Sequence, residues 1–429
     1  MRRRPFMAAL GTSIAGSLAG CLGSVTRYDT VPDDYDPPRG HHQAMYDARN
    51  SRYAVALTGP TSEPTNHRIH AGVSGTPLTI EEALFTSTWS AGLDLEPRWD
   101  VPRPVEGGIQ YPALHGDSVV TVGRGQGDDR AQVTWALSQA DGTEQWRTTL
   151  SAQPAFGSLT VLDDGGYFAT TEGVGCVDLS AGEEAWQTDL TADHPHVVNP
   201  FHWLTPAATP EHVFMLNDGP AHPDYDGPRL LYALHRDSGD LHWTADLGFG
   251  PREGLGARGP YVGDRYVFVT AQVDRDPEGG PNDDPWVRTT AVDPIDGEIA
   301  WSQELQGMTA STSGTAVADG QFYIPHGATD GDPSLLSALD TADGSVEWTT
   351  EIPSYIIQPT VTDDLVYVID MAAHCTAIDP GDGSVAWQAY IPDLEGAPRL
   401  TAWQGPSPPI VLDERMFVNM GEGELLELW

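Results

Sequence analysis

The sequence predicts an all-β fold: a β-propeller of four-stranded blades, seven counted and an eighth possible, closed by an N-terminal strand that joins the last blade. Two observations carry that prediction. First, six times a short strand ends in an Asp-like position, with a glycine four residues on and a tryptophan eight residues on. The six sets are Ser138/Gly142/Trp146, Asp178/Gly182/Trp186, His235/Gly239/Trp243, Asp293/Gly297/Trp301, Asp340/Gly344/Trp348 and Asp379/Gly383/Trp387. Second, their tryptophans recur at 39 (Trp348 to Trp387) to 58 (Trp243 to Trp301) residues, the spacing of a repeat architecture.

Each unit has one grammar, shown by the unit that ends in Trp348. A small-residue run, Ser311 to Val317, leads to a turn at Asp319-Gly320 and the apolar strand Phe322-Tyr323-Ile324. Leu335 to Leu339 follows, then the turn Ala342-Asp343-Gly344 and the strand Val346-Glu347-Trp348. Short strands joined by Asp-Gly turns are antiparallel hairpins, because glycine supplies the positive φ a tight turn needs. Four such strands in roughly 40 residues make a propeller blade.

The last segment, Leu425 to Trp429, aligns with Leu231 to His235, so the chain stops after a third strand. Trp99 reads as a fourth-strand tryptophan with no glycine at position 95. The sequence therefore predicts that residues 96–102 complete the last blade and leave no open edge. Residues 54–95 are long enough for a further blade but lack the Asp–Gly–Trp signature.

This grammar, over about residues 44–429, resembles the pyrroloquinoline-quinone (PQQ)-like β-propeller repeat family. Tyr46 to Tyr53 looks like the segment before the first blade in such proteins. The family includes quinoprotein alcohol dehydrogenases and the lipoprotein of the bacterial outer-membrane assembly machine. The first group implies a bound quinone, a calcium ion, a carboxylate base, a stacking tryptophan and often a disulfide between adjacent cysteines. This sequence has no adjacent cysteine pair, and no calcium ligands or base can be placed at matching positions.

The formal charge is −40, from 62 acidic and 22 basic residues, and every basic residue is arginine. Hydrophobic residues still make up 39 %, enough for a packed core. A heavily carboxylated β protein fits multimolar salt, where a Debye length of about 3 Å screens self-repulsion. The composition resembles that of salt-loving archaea. It excludes nucleic acid as a partner, since phosphate binding needs clustered positive charge.

Residues 1–21 read as a twin-arginine signal peptide with a lipobox: Arg2-Arg3-Arg4, an apolar run from Ala8 to Ala19, then Leu18-Ala19-Gly20-Cys21. Cys21 is the expected lipid attachment point, and residues 22–43 are a polar tether to the propeller of residues 44–429. The expected location is the outer face of the cell membrane. The other cysteines, Cys176 and Cys375, fall on third strands four repeats apart and are expected as buried thiols.

Uniform third-to-fourth connections mark one face of the propeller as scaffold. The longest insertions, 191–206, 217–229, 248–260 and 272–287, all open on the other face, where binding is expected. The candidate residues on that face are His194, His196, His202, Trp203, His222, Asp224, Tyr225, Asp274, Asp276 and Trp286. The histidines with Asp193, Asp224 and Asp226 could hold a transition metal, but spacing across loops does not establish convergence, and no metal is assigned. The string Asp274 to Gly279 imitates the opening of a calcium loop, yet Pro285 stands where the twelfth-position Glu belongs, so no Ca²⁺ is assigned either. Phe201, Trp203, Tyr225, Phe249 and Trp286 could stack on a sugar or peptide, or plug loops onto the propeller.

The tryptophans Trp99, Trp146, Trp186, Trp243, Trp301, Trp348 and Trp387 are read as blade-interface residues, and the repeated Asp as a turn residue. The function expected is a monomeric, membrane-anchored binding or scaffold module for a protein, peptide or glycan, with no catalytic residue, PQQ or Ca²⁺ assigned. The alternative is a PQQ-dependent dehydrogenase-type redox enzyme. There is no Gly-x-Ser-x-Gly segment to suggest a hydrolase.

Overall fold

The computed structural model describes residues 54, 57–71, 78–80, 83–85, 89–92, 97–100, 112–124, 132–151, 159–191, 205–217, 228–249, 255–274, 285–307, 314–327, 333–356, 358–391, 408–412, 414–421 and 424–429. Among them the chain is all strand and turn apart from single-turn 3₁₀ ends, in eight four-stranded antiparallel sheets. These are the blades of a β-propeller. The first is β2 (Leu78–Ile80), β3 (Ala83–Phe85), β4 (Trp89–Gly92) and β5 (Pro97–Asp100). Blades two to seven run in chain order as β6–β9 (Ala113 to Thr149), β10–β13 (Thr160 to Asp189), β14–β17 (Ala207 to Asp246), β18–β21 (Leu255 to Gln306), β22–β25 (Ala316 to Ile352) and β26–β29 (Thr360 to Tyr390).

The eighth sheet is built differently. β30 (Ile410–Leu412), β31 (Arg415–Gly421) and β32 (Glu424–Leu428) are joined by β1 (His67–Ala71), which pairs antiparallel with β32 from His67↔Leu428 to Ala71↔Glu424. The strand nominated from sequence, residues 96–102, instead contains β5 and belongs to the first blade, where Trp99 lies opposite Ser90. The count is thus eight, and the strand completing the last sheet comes from about thirty residues earlier. The physical reason is that the first blade keeps the fourth-strand tryptophan but lacks the glycine turn, so the register used to count blades does not see it.

Cross-strand pairing explains why the tryptophans need small partners. In most blades the tryptophan sits opposite Ala or Cys on the third strand: Ala136↔Trp146, Cys176↔Trp186, Ala233↔Trp243, Ala291↔Trp301, Ala338↔Trp348 and Ala377↔Trp387. A bulge follows at each of these positions, adding the local twist that re-aims the strand. In the eighth sheet this pair becomes Arg68↔Glu427. Glu427 is 1 % exposed and lies between Arg415 (2.9 Å) and Arg68 (4.0 Å), while Arg68 also covers the Trp429 ring at 5.6 Å. An ion pair and a cation–π contact replace the usual aromatic there.

The core lies between blades. One cluster joins residues of the third, fourth and fifth blades around Phe214, Tyr232 and Leu231; another joins Tyr367 and Ile369 of the seventh to Phe417, Leu425 and Leu426 of the eighth. Burying such faces against each other supplies the hydrophobic stabilisation, at about 25 cal/mol per Å² of apolar surface.

Candidate functional site

Among the described residues, the 3–4 turns of blades two to seven are docking points for the blade before each. The turn glycines all adopt positive φ: +70° at Gly142, +68° at Gly182, +72° at Gly239, +75° at Gly297 and Gly344, and +74° at Gly383. A β-carbon on any of them would lie 2.5–2.8 Å from the tryptophan of the preceding blade, in the order Trp99, Trp146, Trp186, Trp243, Trp301, Trp348. Glycine is therefore required twice over, by backbone conformation and by the indole pressed against it.

The indoles also donate. Nε1 of Trp99, Trp186, Trp243, Trp301 and Trp348 reaches the carbonyls of Gln139, Arg236, Pro294, Thr341 and Pro380 at 2.8–3.1 Å, each the residue after the repeat Asp position. Trp387 faces the eighth sheet, whose third and fourth strands, β32 and β1, are not joined by a hairpin turn. It donates to the Pro60 carbonyl at 2.8 Å instead, and Tyr367 Oη donates to the same oxygen at 3.3 Å. Thr188 Oγ1, two residues past its tryptophan, adds a bond to the Gly239 carbonyl at 2.6 Å. Thr148 likewise bonds the Gly182 carbonyl.

The repeat Asp side chains close their own turns. Asp178, Asp293, Asp340 and Asp379 accept from the backbone N–H two residues on at 2.6–2.9 Å. The Ser180 hydroxyl and the Ala181 and Ser180 N–H groups hold Asp178 below the usual carboxylate range, which suits a turn residue and not a base.

Of the residues expected to form a binding face, His194, His196, His202, Trp203, His222, Asp224, Tyr225 and Asp276 lie outside the described residues, as do Phe201, Cys21 and the segments 1–21 and 22–43. Asp274 and Trp286 do not belong to a loop. Asp274 ends β19 (Val267–Asp274) opposite Pro285, and Trp286 in β20 (Pro285–Val292) pairs with Val273 and packs on the core cluster of blades three to five. Phe249 is buried in the same cluster, with the Arg288 guanidinium 5.2 Å from its ring centroid. These two aromatics plug the blades, and the strands β18 (Leu255–Val262), β19 and β20 take up residues 255–260, 272–274 and 285–287 of the expected insertions.

On the same face, the short loop between β27 (Val366–Ile369) and β28 (His374–Ile378) pairs a buried Asp370 with a half-buried His374. Asp370 accepts from the N–H groups of Ala372 and His374 at 2.9 Å and pairs with His374 Nδ1 at 2.9 Å. Burial raises its carboxyl pKa, against these bonds. Its Oδ1 is occupied by the loop's own backbone and its Oδ2 by the His374 ring. Cys176 and Cys375 are free and buried, and burial pushes each thiol up to about 12.

The scaffold face carries one departure that sequence reasoning treated as neutral. His235 takes the repeat Asp position, and the structure places it with His212, its ladder partner, and His242, the residue before Trp243. The His212 and His242 rings stack at 4.7 Å and 16°, and His235 lies 4.7 Å from His242 and 5.5 Å from His212. His212 is buried, and desolvation, followed by its two imidazole neighbours, lowers its pKa to about 4. Two signals in the sequence pointed here: an Asp position filled by His, and a second His beside the repeat tryptophan.

Residues 283–428 match the family described as outer membrane protein assembly factor BamB. Over those residues the repeats are similar to PQQ-like propeller repeats. Three solved structures are similar over most of their length. The europium-containing methanol dehydrogenase shares 14 % identity with a TM-score of 0.59, covering 89 % of each chain. BamB from Moraxella catarrhalis shares 14 %, with a TM-score of 0.55 over 85 % of this chain and 96 % of that one. Quinohemoprotein alcohol dehydrogenase from Comamonas testosteroni shares 12 %, with a TM-score of 0.60 over 92 % and 81 %. At such identities the likeness shows the fold alone, and it spans dehydrogenases and an assembly factor alike. A search of curated proteins found no match to the sequence.

Proposed function

We propose that this chain is a binding or scaffold propeller, exported and lipid-anchored through Cys21 at the outer face of the membrane of a salt-adapted cell. Its partner is a protein, peptide or glycan. The observation that carries this reading is the division of labour between faces. The repeat Asp, Gly and Trp residues are spent on turns and blade contacts, while the longest connections, 391–409, 190–206 and 217–229, all join fourth to first or second to third strands, on the face opposite those turns. A BamB-type match over residues 283–428 supports a protein-binding role.

The test is capture from native-salt membranes, with three arms. Replacing 275–284 or 218–227 by a short Gly-Ser link spares Asp274, Trp286 and Arg229 and should abolish capture while the protein still unfolds cooperatively. Undiminished capture by both trimmed proteins would refute the proposed face. Cys21→Ser should move the protein from the membrane to the medium, and retention would refute the anchor.

The likeness to two dehydrogenases motivates a second reading, a PQQ-dependent enzyme. The residues described fit that group poorly. The two internal cysteines lie in the third and seventh blades, and the carboxylate of Asp370 is tied to its own loop. No step is derived through the quinone. Saturable binding of PQQ at micromolar concentration with Ca²⁺ would favour this reading over the first.

A further inference from the structure

The three histidines of the fourth blade come from three different strands. His212 opens β15 (His212–Leu216), His235 closes β16 (Leu230–His235), and His242 is the second residue of β17 (Leu241–Asp246). One nitrogen from each lies within 4.8 Å of the other two. The His212 side chain is buried, at 5 % exposure, and its backbone N–H is held by Thr209 Oγ1 at 3.1 Å, whereas His235 and His242 are exposed. One ring is thus buried in the protein, and two face solvent beside it.

The local chemistry departs from the repeat in a coherent way. Elsewhere the third strand ends in an Asp or Ser that caps the turn. Here that residue is an imidazole, and the turn keeps only the second bond of the repeat, Asp240 N–H to Ser238 Oγ at 3.2 Å, where other blades use Asp141, Asp296, Asp343 or Asp382. The Ser238 hydroxyl also meets the Asp240 carboxylate at 2.8 Å. His242 Nε2 lies 3.1 Å from the Ile295 carbonyl of the fifth blade. A carbonyl can only accept, so Nε2 carries the proton and Nδ1 keeps the lone pair. Ligating histidines are oriented in the same manner, by a carbonyl on the second nitrogen.

We propose that His212, His235 and His242 form a binding site for a divalent transition-metal ion of the Zn²⁺, Ni²⁺ or Cu²⁺ class, open to solvent on the short-turn face. Imidazole suits these ions and does not suit calcium, which takes oxygen ligands. Ligation at about 2.0–2.1 Å requires the nitrogens to stand about 3.4 Å apart. The exposed rings, His242 stacked on His212 and His235 tilted 49° to His242, must therefore turn until their nitrogens converge, a rotamer adjustment that solvent-facing side chains make cheaply. Three protein ligands leave a position for water or for a group from a partner. A bound ion would clip β15, β16 and β17 together, and through His242 would brace the boundary with the fifth blade. This site is independent of the loop face proposed above and lies opposite to it.

The test uses the full chain in multimolar salt, stripped with a chelator and titrated with Zn²⁺, with Co²⁺ as a spectroscopic stand-in. The expected result is one equivalent bound, a Co²⁺ spectrum of imidazole ligation and a raised melting temperature. Asn can cap the turn but is a poor ligand for these ions, so His235→Asn should fold and bind more than about tenfold more weakly. His242→Gln should do the same, and His194→Ala with His196→Ala should bind like the parent. No stoichiometric binding would overturn the proposal. So would equal affinity in His235→Asn and His242→Gln, or binding lost only in the His194/His196 variant.

Discussion

The indole N–H of Trp348 meets the Pro380 carbonyl at 2.8 Å while its ring lies on Gly383. Those are separable contributions. Trp348→Phe keeps most of the ring and leaves that carbonyl without its donor, so it should cost about 1–2 kcal/mol. Trp348→Ala should cost about 3–5 kcal/mol. Guanidinium unfolding at constant high salt checks both. His212 makes a second prediction. Its pKa in the folded protein is about 4, against about 6.5 in an unfolded chain. Between those values the unfolded chain binds the extra proton, so the contribution is complete above about pH 6.5 and is lost as pH falls toward 4. In metal-free protein, the stability lost between pH 7 and pH 5 should be smaller in His212→Gln than in the parent. An equal loss would show that His212 keeps an ordinary pKa. At this scale the sequence was informative about the role of each Trp and Asp, since a fixed register survives only where geometry is fixed. It held two hints of the histidine trio, His235 at an Asp position and His242 beside Trp243, but not the convergence, because residues 212, 235 and 242 meet only after three strands pair.

At the scale of elements, β1 is the strand whose place was least legible. Its sequence, His67-Arg68-Ile69-His70-Ala71, has neither tryptophan nor turn, and its partner β32 lies at the far end of the chain. What identifies it in the structure is charge: Arg68 occupies the tryptophan's place opposite Glu427. Removing residues 1–43 should leave unfolding cooperative, because β1 and the Trp387–Pro60 contact remain. Removing residues 1–71 should strip β32 of its partner and expose Glu424–Leu428 as an open edge, giving aggregation on size exclusion. Monomeric, equally stable protein after the longer truncation would contradict the assignment. The first blade was hidden for a related reason. Its strands are three or four residues long, and its 3–4 connection lacks glycine.

For the whole molecule, the blades form a series in which each turn receives the tryptophan of the blade before, as repeat proteins distribute stability over nearest-neighbour interfaces. A charge of −40 opposes this assembly. Melting temperature should fall steadily as KCl is lowered from multimolar toward 0.1 M, where the Debye length lengthens to about 10 Å and the carboxylates repel across the surface. A salt-independent melting temperature would refute the reading of the acidic surface. Composition gave the sign of that effect, whereas the number of blades required strand pairing.

The central claim is that the recurring glycine exists to receive the preceding blade's tryptophan. A double-mutant cycle in the sixth blade isolates it. Gly344 and Gly320 both have positive φ, +75° and +81°, but a β-carbon at Gly344 would lie 2.6 Å from Trp301, while at Gly320 its nearest neighbour is 4.0 Å away. Gly320→Ala should cost only the backbone term, about 1–2 kcal/mol. Gly344→Ala should cost about 1–3 kcal/mol more, from the clash. That excess should vanish when Gly344→Ala is made in a Trp301→Ala background, giving a measurable coupling energy. Additive effects of Gly344→Ala and Trp301→Ala would contradict the account.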